Sequence, residues 1–179
     1  MKKILFLAAM AIGFALTVSA QSKNGAAADT DAKYATGLLQ PGTKAPDFTM
    51  ADADGRKHSL SDFKGKYVVL DFWASWCPDC RKDVPEVKRL HDLYGKNVEF
   101  VSVSFDNVKA NWVNYVGKNG MSWLQLSELK KMREADITKL YKVSWIPSVY
   151  IIDRDGKIIL STVMIEKVAA KLKEITSKK

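Results

Sequence analysis

"YVVLDFWASWCPDC", residues 67–80, runs from an apolar stretch into the chain's only two cysteines. Tyr67 to Trp73 is apolar on both faces except at Asp71, as a central strand covered on each side would be. From Cys77 the pattern changes. Val84, Val87, Leu90 and Leu93 recur at three- and four-residue steps, which predicts a helix. Pro85 is expected to kink that helix, not to end it. The stretch therefore reads as a strand feeding a helix, with Cys77 and Cys80 at the junction.

Outward from this junction, strands alternate with helices. Upstream, DFTM (47–50) and KHSL (57–60) predict a hairpin around Asp54-Gly55. Downstream, VEFVSVSF (98–105) predicts a second central strand, and 107–118 a helix with Trp112, Tyr115 and Val116 at helical spacing. A short strand is expected at Trp123 to Leu126 and a short helix at Ile137 to Tyr141. SVYIIDRDGKIIL (148–160) reads as a hairpin turning at Asp155-Gly156, and a last helix is expected from Ile165 to Ile175. This alternation indicates an α/β layered domain.

Paired cysteines serve as a staple, a metal clip or a redox couple. A disulfide between residues three apart closes almost no loop, so it constrains the unfolded chain little. Zinc needs three or four protein ligands. Besides the two cysteines only His58 and His91 could contribute soft ligands, at no finger-like spacing, and both read as surface residues. Thiol–disulfide exchange fits the surroundings better. A cysteine at a helix start is met by free backbone N–H groups and the helix dipole, which stabilise a thiolate. Cys80 lies one turn on, toward the same side, and Pro78 suits the first helical turn. Asp79 would oppose thiolate formation unless it points to solvent.

DFWASWCPDC followed by RKDVP resembles the active site of the thioredoxin superfamily. The wider pattern resembles its secreted thioredoxin-like thiol–disulfide oxidoreductases, related to bacterial cytochrome-maturation proteins. The likeness covers roughly residues 40–162 and includes PGTKAPDFTM, LSDFKGKYVVLDFWASWC and WIPSVYIIDRDGKII, in that order. It implies a thioredoxin-like fold: a central mixed sheet flanked by helices, with an N-terminal hairpin and a helix–strand insertion at about 107–126. It also implies a cis Pro147 packed beside the cysteines. One departure bears on the redox potential: most members have proline directly before the second cysteine, where this chain has Asp79.

Asp71 is the most informative polar residue. A buried carboxylate is costly unless paired, and desolvation would raise its pKa toward neutrality. The resemblance places it beneath Cys80, where it could take the thiol proton; an acid turned to solvent at the strand end is the alternative. Asp83 shares a helix face with Cys80 and is a second possible proton-handling group, with a solvated surface acid as its alternative. Trp76, Pro78, Ile146 and Pro147 are the expected substrate-binding residues, because a cis proline offers neighbouring backbone groups to an extended peptide. Trp73 and Trp145 are expected in the core, with a place at the border of the site as the alternative.

The chain opens MKKILFLAAMAIGFALTVSAQ, with basic Lys2 and Lys3, an apolar run of about 15 residues and small residues at Val18-Ser19-Ala20. This predicts a signal peptide over 1–20, cleaved near Ala20, and a periplasmic or otherwise extracytoplasmic protein. The run is shorter than the ~20 residues of a spanning helix. A retained anchor is the alternative, and would be the protein's only membrane contact. No cysteine stands at the cleavage site, which argues against a lipoprotein. Residues 21–40 read as a flexible lead and 41–179 as the domain. Removing Lys2 and Lys3 lowers the formal charge from +8 to +6. The remaining lysines are scattered, without an arginine–aromatic cluster, which excludes a nucleic-acid site.

The expected function is an extracytoplasmic thiol–disulfide oxidoreductase that reduces disulfide-containing protein clients through Cys77 and Cys80. It would need no cofactor and no metal, but would draw electrons from a donor such as a membrane thiol carrier. Three alternatives stand beside it: an oxidase or isomerase of the same fold, a non-catalytic client- or metal-binding module, and a peroxiredoxin-like peroxidase. Ala74 argues against the last, since a peroxidatic cysteine has threonine three residues before it.

Overall fold

The computed structural model describes residues 30–177. Its centre is a five-stranded mixed sheet in the order β5-β4-β3-β6-β7. The strands are β3 (Tyr67–Trp73), β4 (Val98–Ser104), β5 (Leu124–Ser127), β6 (Ser148–Ile152) and β7 (Ile158–Thr162). β3 runs parallel to β4 and antiparallel to β6, so it lies mid-sheet with every residue after Tyr67 buried. Its continuous apolar run is the consequence of cover on both faces. A separate hairpin pairs β1 (Thr49–Ala51) with β2 (Lys57–Ser59).

The helices follow from apolar spacing and end chemistry. α2 (Pro78–Tyr94) begins with Cys77 as N-cap and Pro78 in its first turn, buries Cys80, Val84, Val87 and Leu90, and continues through Pro85. α3 (Lys109–Lys118) joins β4 to β5 and α4 (Asp136–Leu140) follows β5. α5 (Ile165–Ser177) packs against α2. On the other sheet face, the Phe72 ring meets those of Phe105, Tyr141 and Tyr150. The β6–β7 turn is built as its residues dictate. The Asp153 carboxylate accepts from the Asp155 and Lys157 N–H groups, and Gly156 takes φ +80°.

Two expectations need correction. Residues 30–40, placed by composition in the lead, pack on the domain. Asp31, in the short α1 (Asp31–Tyr34), accepts hydrogen bonds from Thr162 Oγ1, the Val163 N–H and Lys167 Nζ. Leu38 is only 3 % exposed, and the Leu39 N–H donates to the Tyr150 hydroxyl. Burying that leucine favours docking by about 2 kcal/mol. Trp145 is not core: it is 37 % exposed and stacks on Tyr34 with ring centroids 4.1 Å apart. The expected signal segment and the lead up to residue 29 lie outside the described residues. Among the described residues no helix is long and apolar enough to cross a membrane.

Candidate active site

The end of β3 delivers the chain through Ala74-Ser75-Trp76 to the start of α2. There Cys77 and Cys80 form a disulfide with their Cα atoms 5.3 Å apart. Both cysteines are buried. Cys77 caps the helix through sulfur: its Sγ accepts from the Cys80 N–H at 3.2 Å. A sulfur so placed faces the positive end of the helix dipole and holds a backbone donor, two features that favour its thiolate on reduction. Asp79 turns outward and pairs with Lys82 at 3.0 Å, so its charge is spent at the surface.

The loop before β6 closes one side. The Ile146–Pro147 peptide is cis, and Cys77 Sγ lies 3.7 Å from the Ile146 carbonyl oxygen. Trp76, 56 % exposed, stands beside the disulfide at the surface, whereas Trp73 is buried in the core. A shallow groove of about 530 Å³ passes Pro147 and is walled by Tyr34, Asp79, Asp83, Trp145 and Glu166. A recess of about 260 Å³, lined by Leu60, Phe63, Val68 and Ile152, lies at the opposite end of β3 and takes no part in this site.

Beneath the disulfide, Asp71, Cys80, Asp83 and Pro147 line one cavity of about 10 Å³, the room of a single water molecule. Asp71 is 7 % exposed, and burial pushes its carboxyl up to about 7 against the opposing hydrogen bond from Ser102. The nearby Asp83 charge adds to the rise. Asp83, partly covered, is itself raised to about 6, first by burial and then by the carboxylates of Glu166 and Asp79. Two acids that hold or release a proton near neutrality thus share a cavity with the second cysteine.

Cys77, Cys80, Asp71, Asp83, Ile146 and Pro147 therefore converge, while Pro78 serves the helix start and Trp76 the rim. Neither histidine is fully at the surface. His58 Nε2 pairs with Asp52 at 3.0 Å, and His91 packs against Phe100 and Trp123. Among the described residues no group of three or more His, Cys, Asp or Glu side chains is arranged to hold a metal ion.

Sequence reasoning missed several members. Ser102 Oγ donates to Asp71 Oδ2 at 3.0 Å and accepts from Trp123 Nε1 at 2.8 Å. Asp106 accepts from Ser75 N–H, Ser75 Oγ and Ser104 Oγ, fixing the loop that carries Trp76 and Cys77. Tyr34 reaches the groove from α1. The only signal for the serines was their alternation in VEFVSVSF, which also fits a solvated strand face.

Comparison with known proteins agrees with this geometry. The Redoxin family model matches residues 40–175. The thiol–disulfide oxidoreductase ResA of Geobacillus thermodenitrificans is 32 % identical over 118 residues, 65 % of this chain and 66 % of that protein. ResA of Bacillus thuringiensis subsp. konkukian is 34 % identical over 122 residues, 68 % of each chain. These matches span about two thirds of the relatives' own length. Among solved structures, the thioredoxin domain of a Bacteroides vulgatus thiol–disulfide oxidoreductase superposes with TM-score 0.70 at 28 % identity, covering 76 % of this chain and 98 % of that one. A thiol–disulfide oxidoreductase from Bacteroides fragilis gives TM-score 0.70 at 30 % identity, covering 74 % and 99 %. With a Cys-x-x-Cys disulfide at the head of α2 and a thioredoxin-like sheet beneath it, the chain belongs to the Redoxin family as a thioredoxin-like thiol–disulfide oxidoreductase.

Proposed function

We propose that this oxidoreductase works outside the cytoplasm and reduces disulfides of client proteins. The observation that carries the reading is the cavity joining Cys80 to Asp71 and Asp83. A reductase must deprotonate its second cysteine at the moment that cysteine is needed, and a buried carboxyl titrating at about 7 is matched to that proton.

In the proposed cycle the Cys77 thiolate attacks one sulfur of the client disulfide. The client's other sulfur leaves as a thiolate, and a mixed disulfide forms. Asp71 then takes the Cys80 proton, and the Cys80 sulfur attacks Cys77 Sγ. The second client sulfur leaves, and the two electrons held by the dithiol have passed to the client. A thiol donor, a membrane thiol carrier, restores the dithiol by the same exchange. The Ile146 and Pro147 backbone, with Trp76 and Pro78 at the rim, would hold the client segment, and Asp83 would act on the same proton as Asp71. The N-terminal pattern of residues 1–20 supports export, with cleavage near Ala20.

The deciding experiment equilibrates the Cys77–Cys80 pair with defined glutathione and dithiothreitol buffers. A potential near or below about −250 mV is expected for a reductase. A value near about −120 mV would overturn the direction and make the protein an oxidant.

A further inference from the structure

A hydrogen-bonded chain reaches Asp71 from Ser102 on β4 and Trp123 just before β5. Strand register sets Ser102 on β4 directly across from Asp71, and Gln125 on β5 across from Ser102. Ser102 is fully buried. Trp123 Nε1 donates to Ser102 Oγ at 2.8 Å. An indole N–H can only donate, so it occupies a lone pair of the hydroxyl and directs the serine proton elsewhere. Gln125 does not receive it, since its amide makes no hydrogen bond among the described residues. Asp71 Oδ2, 3.0 Å from Ser102 Oγ, does. The chain of donors therefore has one direction, from indole through hydroxyl to carboxylate, and each link polarises the next.

We propose that Ser102 and Trp123 are positioning residues for proton transfer at Cys80: they fix a donor on Asp71 Oδ2, favour its carboxylate form and leave Oδ1 to receive the thiol proton. The inference rests on the proposed role of Asp71 as proton acceptor. Burial alone would hold Asp71 protonated well into the neutral range and leave too little carboxylate to accept a proton. The relay offsets that without a neighbouring cation. The titratable groups facing Asp71 are Cys80 and Asp83 on α2; the remaining cavity walls, Trp73, Val84, Val87, Met121, Pro147, Val149 and Ile165, do not titrate. Glu166 on α5 acts on Asp83, and His91 on α2 lies 5.3 Å from the Trp123 ring.

The test follows the Asp71 carboxyl by ¹³C NMR through a pH titration of the oxidised protein, and separately the pH dependence of mixed-disulfide resolution. Both are measured in a D83N background, so that the two carboxyls do not titrate as one coupled pair. Ser102→Ala should raise the Asp71 midpoint by about one pH unit, the loss expected for one hydrogen bond to a charged group. Resolution should slow about tenfold at pH 6 and converge with the parent at high pH. Trp123→Phe should shift the midpoint the same way but less, and Ser102→Thr, which keeps the hydroxyl, should restore it. An unmoved midpoint in Ser102→Ala would overturn the relay, whatever the turnover. A midpoint that moves while the resolution profile stays would leave the hydrogen bond intact as chemistry but refute Asp71 as acceptor, and with it the catalytic role of the relay.

Discussion

Two buried aspartates flank the cysteine loop and are treated in opposite ways. Asp106 receives three donors: the Ser75 N–H at 2.9 Å, Ser75 Oγ at 2.6 Å and Ser104 Oγ at 2.7 Å. Asp71 receives one, from Ser102, and is otherwise walled by apolar groups and a second acid. A carboxylate with three donors is a fastener, because its charge is matched by hydrogen bonds that substitute for water. One with a single donor is left poised, since desolvation and one hydrogen bond pull its proton affinity in opposite directions. Burial alone therefore does not decide what a buried carboxyl can do; the number of donors it meets decides with it.

The largest expected effect comes from removing the poised acid. Asp71→Asn should slow mixed-disulfide resolution at pH 7 by about 10²-fold, the usual worth of a positioned base, and trap the client on Cys77 in stopped-flow or gel assays. The same variant should alter stability in the other direction. The folded-state pKa of Asp71, about 7, lies above its unfolded value of 3.8. Its contribution is thus fully present below pH 3.8, is lost as pH rises toward 7, and is flat above. That slope, on the order of 4 kcal/mol across the window, should shrink in Asp71→Asn when denaturant unfolding is measured from pH 4 to 8.

Removing the fastener should reverse the pattern. Asp106→Ala strands the part-buried Ser75 N–H and hydroxyl and the buried Ser104 hydroxyl, which should cost about 3 kcal/mol in urea unfolding. The midpoint of the resolution profile should stay where it was, because Asp71 and Ser102 are untouched. A shifted midpoint would break the distinction between the two acids. The smallest effect belongs to Asp79, nearest the nucleophile in sequence but exposed and paired with Lys82. In the D83N background, where the Asp79 charge has no second acid to act on, Asp79→Asn should change neither the profile nor the unfolding midpoint measurably, since exposed ion pairs contribute little. A clear change in the Cys77 thiol titration would show that its charge reaches the sulfur after all.

These contrasts also explain what could be read from the chain before its structure was known. β3, the Cys77 junction and the hairpin at Asp155-Gly156 were legible because each is a local pattern: an unbroken apolar run, a two-residue gap, a turn pair. Asp71 stood out as one charge in an apolar strand, and its burial followed from that. Asp106 did not, because SFDN at a strand end reads like any polar turn. Ser102 and Trp123 act through strand register, which links positions 31 and 21 residues apart by hydrogen bonds and leaves no trace in spacing. The docked segment around Asp31 was misread for the same reason. Its composition is that of a linker, and its partners Thr162 and Val163 lie more than 130 positions away.

That docking has a practical side. Thr30 and Tyr34, at the two ends of α1, line the same groove as Trp145 and Pro147. A chain trimmed at residue 40, where the family match begins, would lose this wall of the groove together with the Asp31 contacts to Thr162 and Val163. The residue at which the domain is cut is therefore a variable in any activity assay of this enzyme, to be held constant before rates of different variants are compared.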